Sequence, residues 1–417
     1  RCCPRRAGPC RGPAAGAPQA AAPAIGCGQG PFAFVAVLFG ARPGYCVEAA
    51  VLGESLRQTG TLHSLLLLHT ADVPADWLRA LRRVGWELRQ VEYLEARGLY
   101  AGGRGGRFAH VFTKLRALCL TEFEKVVLLD TDLLVRRNID DLFDRPAPSA
   151  LRRHAAADFP DGGKIDGAEF YDSSGKQTSG INAGVVVLRP SAEDFALVCK
   201  EISDEWHPEH HESRMPEQDY LTRFYIDCWH ALGVQYNYQV HQLAFTGRGG
   251  LENCRRLAVE YGELSVIHFS ACPKPRDLLT EPRYAGMSCT AYADAVLCGA
   301  YLRGMRGGCR GQGHIAAYGA AAVEAQLRAT TWRSALEWFG AWEALLARVP
   351  ELASLAAVAA PGSKSSVEAC GAAPAAAAVS TGGPAAVRGA PRGGQPARQR
   401  LRGSSWLRDA RARPAAA

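Results

Sequence analysis

The chain of 417 residues contains no run of eighteen apolar residues, so no segment reads as a membrane-spanning helix. Residues 1–30 lack the continuous apolar core of a secretory signal. Among 14 cysteines there is no Cys-x-x-Cys pair and no cysteine–histidine spacing that suits zinc. Cys119 and Cys199 fall in helix-like segments, where a cysteine serves as a small apolar filler. The cysteine pattern does not resemble a secreted disulfide framework, and it does not decide the redox compartment. No internal repeat is visible. What remains is ordinary globular composition, with 47% hydrophobic and 21% charged residues. A chain this long buries enough apolar surface to need neither disulfides nor structural metals for stability.

The net charge of +7 belongs to the tails. From Arg388 to the end there are eight arginines and one acid, Asp409, which account for all of it. Arg1, Arg5, Arg6 and Arg11 add more at the other end, so the stretch from Pro31 to Val387 is mildly acidic. An arginine-rich tail suits nucleic acid or a membrane surface. The plainer expectation is a solvated tail, with no clear binding to either. Residues 1–30 and 361–417 are of low complexity and are expected to be disordered.

Between the tails the pattern is α/β. Phe32–Phe39 and Ser64–His69 are continuous apolar runs, as buried parallel strands require. Helical patterns occupy Val47–Gln58, ended by Gly60, and Ala75–Val84, ended by Gly85. A third strand is expected at Glu87–Val91, a helix at Thr113–Thr121 and a strand at Val126–Leu129. The second half reads as a long polar loop over Ala156–Ser179, then a strand at Gly184–Leu188. A helix follows at Gln218–Tyr225, with a short strand at Ser265–Phe269. Residues 331–348 form an amphipathic helix with Trp332, Leu336, Phe339, Trp342 and Leu346 on one stripe. Alternating strands and helices imply a parallel sheet covered on both faces, with ligands at the carboxyl ends of its strands.

Asp130-Thr131-Asp132 stands at such an end. In extended backbone, two carboxylates two residues apart point to one side and repel each other. A divalent cation resolves the repulsion, and hard oxygen ligands suit Mg²⁺ or Mn²⁺. Two other readings stay open: a turn with Asp as a helix cap, and a haloacid-dehalogenase-like phosphatase with Asp130 as nucleophile. Against the phosphatase, Leu134 stands where Thr or Val is usual, and about a hundred residues of α/β pattern precede the motif. A strand ending on His268 offers an imidazole to complete an O/N metal site, and Lys274 follows in a proline-broken loop as a point charge for phosphate. Lys114 lies in a first helical turn, where anions bind. Asn182 offers a donor and an acceptor to a sugar hydroxyl. Glu217 and Asp219 either complement a helix dipole or serve a sugar and a developing oxocarbenium ion.

The order of these motifs resembles glycosyltransferase family 8, the group containing glycogenin, bacterial galactosyltransferases and plant glucuronosyltransferases of xylan. The series is Tyr45, Thr113-Lys114-Leu115, Asp130-Thr-Asp132, Asn182-Ala183-Gly184, Glu217-Gln218-Asp219 and His268 with Lys274-Pro275, and it covers about Phe32–Asp277. The resemblance implies a single Rossmann-like nucleotide-diphospho-sugar transferase domain of the GT-A type at 31–280. A helical extension is expected at 281–360. It also implies Mn²⁺-dependent, anomer-retaining transfer of a hexosyl-type sugar from a UDP-sugar, with Mg²⁺ as the second candidate metal. Asp130, Asp132 and His268 would be metal ligands. Gln218, Glu217 and Asp219 would hold the catalytic positions. Tyr45, Lys114, Asp158, Asn182, Ala183, Gly184 and Lys274 would bind the donor. The acceptor, glycan or protein, is not indicated. A homodimer is compatible, as are a cytoplasmic and a Golgi-lumen setting. A non-catalytic sugar-nucleotide-binding relative is the remaining alternative. Five positions depart from the family pattern: Ala271 for Gly, Arg276 for the Trp after Lys-Pro, Ala41-Arg42 for Thr-Asn, and Glu217 for Asp.

Overall fold

The computed structural model describes residues 30–97, 110–153, 161–210, 213, 215–240, 261–270, 272–302 and 321–356, with backbone alone at 297–302 and 321–327. All of these fall in one compact unit, Arg1–Ala377. The two low-complexity tails lie outside the described residues, Gly30 excepted, and so does Asp158.

Strands β1 (Phe32–Leu38), β2 (Ser64–His69), β3 (Glu87–Gln90) and β4 (Lys125–Leu129) run parallel, β1 pairing with both β2 and β4. Three more strands follow in this sheet: β6 (Ser149–Arg152), β7 (Ile181–Leu188) and β8 (His230–Ala231). They complete the order β3-β2-β1-β4-β7-β6-β8, with β7 antiparallel to both neighbours. A smaller sheet has the order β5-β10-β9, from β5 (Leu133–Val135), β10 (Val266–His268) and β9 (Tyr238–Gln239). The fold is thus the mixed α/β architecture expected, with a mostly parallel sheet.

The period of two divides β1 between two cores. Phe34, Ala36 and Leu38 face α1 (Pro43–Gln58), while Ala33, Val35 and Val37 face Phe112, Leu115 and Leu118 on the opposite side. Helices α2 (Ala75–Val84), α3 (Ala192–Ser203), α4 (Pro216–Phe224), α5 (Pro275–Thr280), α6 (Cys289–Leu302) and α7 (Ala321–Arg348) complete the elements used below.

Several boundaries differ from the sequence reading. Helix α1 starts at Pro43 rather than Val47, because proline's fixed φ suits a first helical turn. The segment read as a helix at Thr113–Thr121 is a 3₁₀ helix over Val111–Cys119, closed by short-range bonds such as Thr113 N to His110 O at 3.0 Å. Strand β7 begins at Ile181, so Asn182-Ala183-Gly184 lies inside a strand and not in a turn before one. The loop 156–179, where described, holds a 3₁₀ turn at Gly167–Phe170. Helix α7 is longer than 331–348, and its buried stripe is Ala335, Trp338, Phe339, Trp342 and Leu345. Trp332, Leu336 and Leu346 are only half-buried against it. Cys46, Cys119, Cys199, Cys228 and Cys272 are free thiols, while Cys289 is disulfide-bonded.

Candidate functional site

Asp130-Thr131-Asp132 is the joint between the two sheets, with β4 ending at Leu129 and β5 starting at Leu133. Thr131 and Asp132 form a turn, not the extended backbone expected from sequence. Each end is tied down separately. Asp130 N donates to Gly184 O on β7 at 2.9 Å, and Phe269 N donates to Asp132 O at 2.9 Å. Because β10 pairs antiparallel with β5, His268 falls opposite Leu133 and beside the aspartates.

One ligand atom each from Asp130, Asp132 and His268 lies within 4.8 Å of the others. His268 Nε2 is 3.4 Å from Asp132 Oδ1 and 4.0 Å from Asp130 Oδ2. Its other ring nitrogen, Nδ1, is 2.8 Å from Asn237 Oδ1. An amide oxygen accepts only, so Nδ1 carries a proton and Nε2 is the ring nitrogen turned toward the carboxylates. Asn237 is fully buried, and its Nδ2 donates to Asn182 Oδ1 at 2.8 Å, an oxygen that also accepts from Gly184 N at 3.0 Å. Asn182 thereby keeps its own amide nitrogen free of any partner among the described residues. A Cβ on Gly184 would lie 2.5 Å from His268 Cε1, so only glycine lets the imidazole pack against β7. Two carboxylates and an imidazole nitrogen brought together at a half-buried turn fit a divalent cation that accepts oxygen and nitrogen donors.

Two buried lysines flank this group. Lys114 Nζ is 2.5 Å from Asp130 Oδ1 and 2.9 Å from Glu217 Oε1, and donates to Ala183 O at 3.2 Å. Burial alone would lower its pKa, but Asp130 and Glu217 reverse that and hold it ionised. Burial raises the Glu217 carboxyl, with Lys114 opposing and Asp130 adding to the rise. Lys274 pairs with Asp132 Oδ2. Burial would raise the Asp132 carboxyl, yet Lys274 and His268 beside it hold it well below the usual carboxylate range. Lys274 owes its place to α5, where its N–H donates to Asp277 Oδ2 at 2.8 Å and Pro275 opens the helix.

Helix α4 divides the Glu217-Gln218-Asp219 triplet. Glu217 enters the site, and Gln218 Oε1 accepts from Ala183 N at 2.9 Å. Asp219 turns instead to Arg153 and to Ser213 Oγ, the latter at 2.5 Å. Tyr45 stands at the edge of the group on the first turn of α1, under the Arg276 guanidinium at 4.1 Å from its ring centroid.

The sequence reading missed two residues. Asn237, in a short polar stretch before β9, carries no local motif. Glu48 is 2% exposed on α1, pairs with Arg276 and accepts from Thr131 Oγ1 at 3.4 Å. Burial pushes its carboxyl up to about 7 against the pull of Arg276 and Lys274. An acid amid the apolar run of α1 was the available signal, since such a charge is not buried without a partner.

No protein-family model matches the chain. Its relatives in sequence include a viral protein and two named enzymes. An uncharacterized protein of Acanthamoeba polyphaga mimivirus is 31% identical over 60% of this chain and 85% of its own. The UDP-glucuronate:xylan alpha-glucuronosyltransferase 2 of Arabidopsis thaliana is 29% identical over 57% of this chain and 34% of its own. Glycogenin-1 of Homo sapiens is 33% identical over 36% of this chain and 38% of its own. The chain therefore spans most of the viral relative but little more than a third of the named enzymes.

Proposed function

The chain belongs with the family 8 glycosyltransferases, and on that premise we propose that it moves a hexosyl-type sugar, with retention, from a UDP-sugar. Mn²⁺ on Asp130, Asp132 and His268 would accompany the donor diphosphate, with Mg²⁺ as the alternative. The observation that supports this most is the convergence of those three ligand atoms around a His268 whose tautomer Asn237 fixes. When bound, the metal would neutralise charge on the leaving diphosphate.

The chain's own residues supply orientation and charge. Lys114 and Lys274 bring two further cations to the carboxylates, where a departing phosphate needs them. Asn182 offers its free amide nitrogen to a sugar hydroxyl. Gln218 fixes the strand at Ala183, and Gly184 admits the imidazole. Glu217 is ion-paired to Lys114 and Asp219 to Arg153. Neither acid stands free as a nucleophile, which favours same-face attack assisted by the leaving phosphate over a covalent carboxylate intermediate.

The plant relative's name makes UDP-glucuronate the first donor to try, beside UDP-glucose, UDP-galactose and UDP-xylose. The acceptor is a glycan or a protein. Among the described residues no helix is long and apolar enough to cross a membrane. The test is donor hydrolysis or transfer with and without Mn²⁺. Folded protein that binds no UDP at millimolar concentration would sink the proposal. UDP binding with no turnover on any donor or acceptor would leave a non-catalytic sugar-nucleotide binder. An aspartyl-phosphate trapped at Asp130 would restore the phosphatase reading.

A further inference from the structure

Arg276 stands where the family pattern carries a tryptophan, and its surroundings are specific. Its guanidinium lies over the Tyr45 ring at 4.1 Å from the centroid. Nη1 is bound by the Glu48 carboxylate, and Nε is 3.3 Å from Asp277 Oδ1. Gly44 makes room for the stack, because a Cβ there would lie 2.9 Å from Arg276 Cδ. Nη2 has no hydrogen-bond partner among the described residues, although the side chain is only 13% exposed. Two residues earlier, Lys274 is paired to Asp132 of the carboxylate group. The planar, always-charged fork is held from two sides by carboxylates and keeps both Nη2 N–H donors for a further acceptor. Glu48 links this group to the carboxylate turn by accepting from Thr131 Oγ1 at 3.4 Å. It is buried on α1, and its remaining oxygen, Oε1, is unpartnered.

We propose that Arg276 is a phosphate-binding residue of the donor site and that Glu48 is the positioning residue that holds it flat on Tyr45. The inference rests on the function proposed above and names a charge contact specific to this chain. Where Ala41 and Arg42 replace the polar pair that precedes Tyr45 in the family, a fixed guanidinium shifts donor recognition toward the phosphates. The fork suits a phosphate oxygen in a way that a tryptophan in its place would not.

The test is binding of uridine, UMP and UDP to the full chain in Mn²⁺, by titration calorimetry or ligand-observed NMR. It compares wild type with Arg276→Ala, Arg276→Lys, Glu48→Gln and the Glu48→Gln/Arg276→Ala double variant, each checked for an unchanged melting transition. Arg276→Ala weakens UMP and UDP by about 10-fold or more, the size expected for one lost charge-assisted bond. Uridine shifts by less than about twofold, and Arg276→Lys recovers part of the loss. Glu48→Gln weakens UDP by a smaller factor, and the double variant is no weaker than Arg276→Ala alone, since both act through one group. Equal losses for uridine and UDP would overturn the phosphate role, as would no loss at all. Additive losses in the double variant would overturn the tether. Wild type that binds no UDP would remove the underlying function as well, so the two failures are distinguishable.

Discussion

His268 is held from two sides, by Asn237 at Nδ1 and by the bare backbone of Gly184 at the ring edge. Removing either support moves the same imidazole by a different route. Asn237→Ala leaves the tautomer unfixed, and Mn²⁺ affinity falls by about 10- to 100-fold, as read by electron paramagnetic resonance titration. Gly184→Ala drives a methyl into the ring, and Mn²⁺ affinity falls at least as far. A Gly184→Ala protein with wild-type Mn²⁺ affinity would show that the ring does not serve the metal. Cys46 offers an independent check at this scale, because burial pushes its thiol up to about 12. Iodoacetamide at neutral pH should label it only after unfolding, with peptide mass mapping as the readout. Asp130, Asp132, His268 and Lys274 were legible in the sequence because each stands at or just beyond the end of an apolar strand. Asn237 and Glu48 were not. Their importance comes from contacts across 31 residues to His268 and 228 to Arg276, which no local spacing encodes.

At the scale of elements, α1 carries most of the structural load. It is buried from Cys46 to Leu56, between the sheet on one side and α7 on another. That leaves two acids inside it needing partners: Glu48 finds Arg276, and Glu54 finds Arg57 at 2.7 Å and Arg348 from the end of α7. Trp338, 1% exposed, belongs to the same buried core as α1. Trp338→Ala should cost about 3–5 kcal/mol of stability in urea unfolding, with donor affinity in the folded fraction unchanged. A loss below about 1 kcal/mol would mean that α7 is not part of this core. Strands and helices with continuous or periodic apolar patterns, such as β2 and α2, appear with the boundaries that the sequence implies. Elements that answer to distant partners do not. The 3₁₀ form of Val111–Cys119 accompanies a Thr113 hydroxyl that accepts the Leu94 N–H and a Lys114 drawn into the site, and the sequence pattern records neither.

For the molecule as a whole, the junction of the two sheets sets the site. The main sheet delivers Asp130 and Gly184, the small sheet delivers Asp132 and His268, and α4 and α5 bring Glu217 and Lys274. The α/β class could be read from alternating patterns, but the antiparallel β7 and the second sheet could not, because pairing direction has no local signature. We propose that the helical segment 281–360 is integral to this unit rather than an appendage, since Trp338 and Trp342 share one buried core with α1. A chain ending at residue 280 should then fail to show a cooperative melt. One ending at residue 360 should melt and bind UDP as the full chain does, without the arginines that supply its net charge of +7. The measurement that bears most directly on the whole account is UDP affinity of the full chain with and without Mn²⁺, in wild type, Asp132→Asn and His268→Ala. The account predicts that Mn²⁺ tightens UDP binding in wild type by about 10-fold or more and that both variants lose this enhancement. UDP affinity indifferent to Mn²⁺, or an enhancement that survives both substitutions, would contradict it.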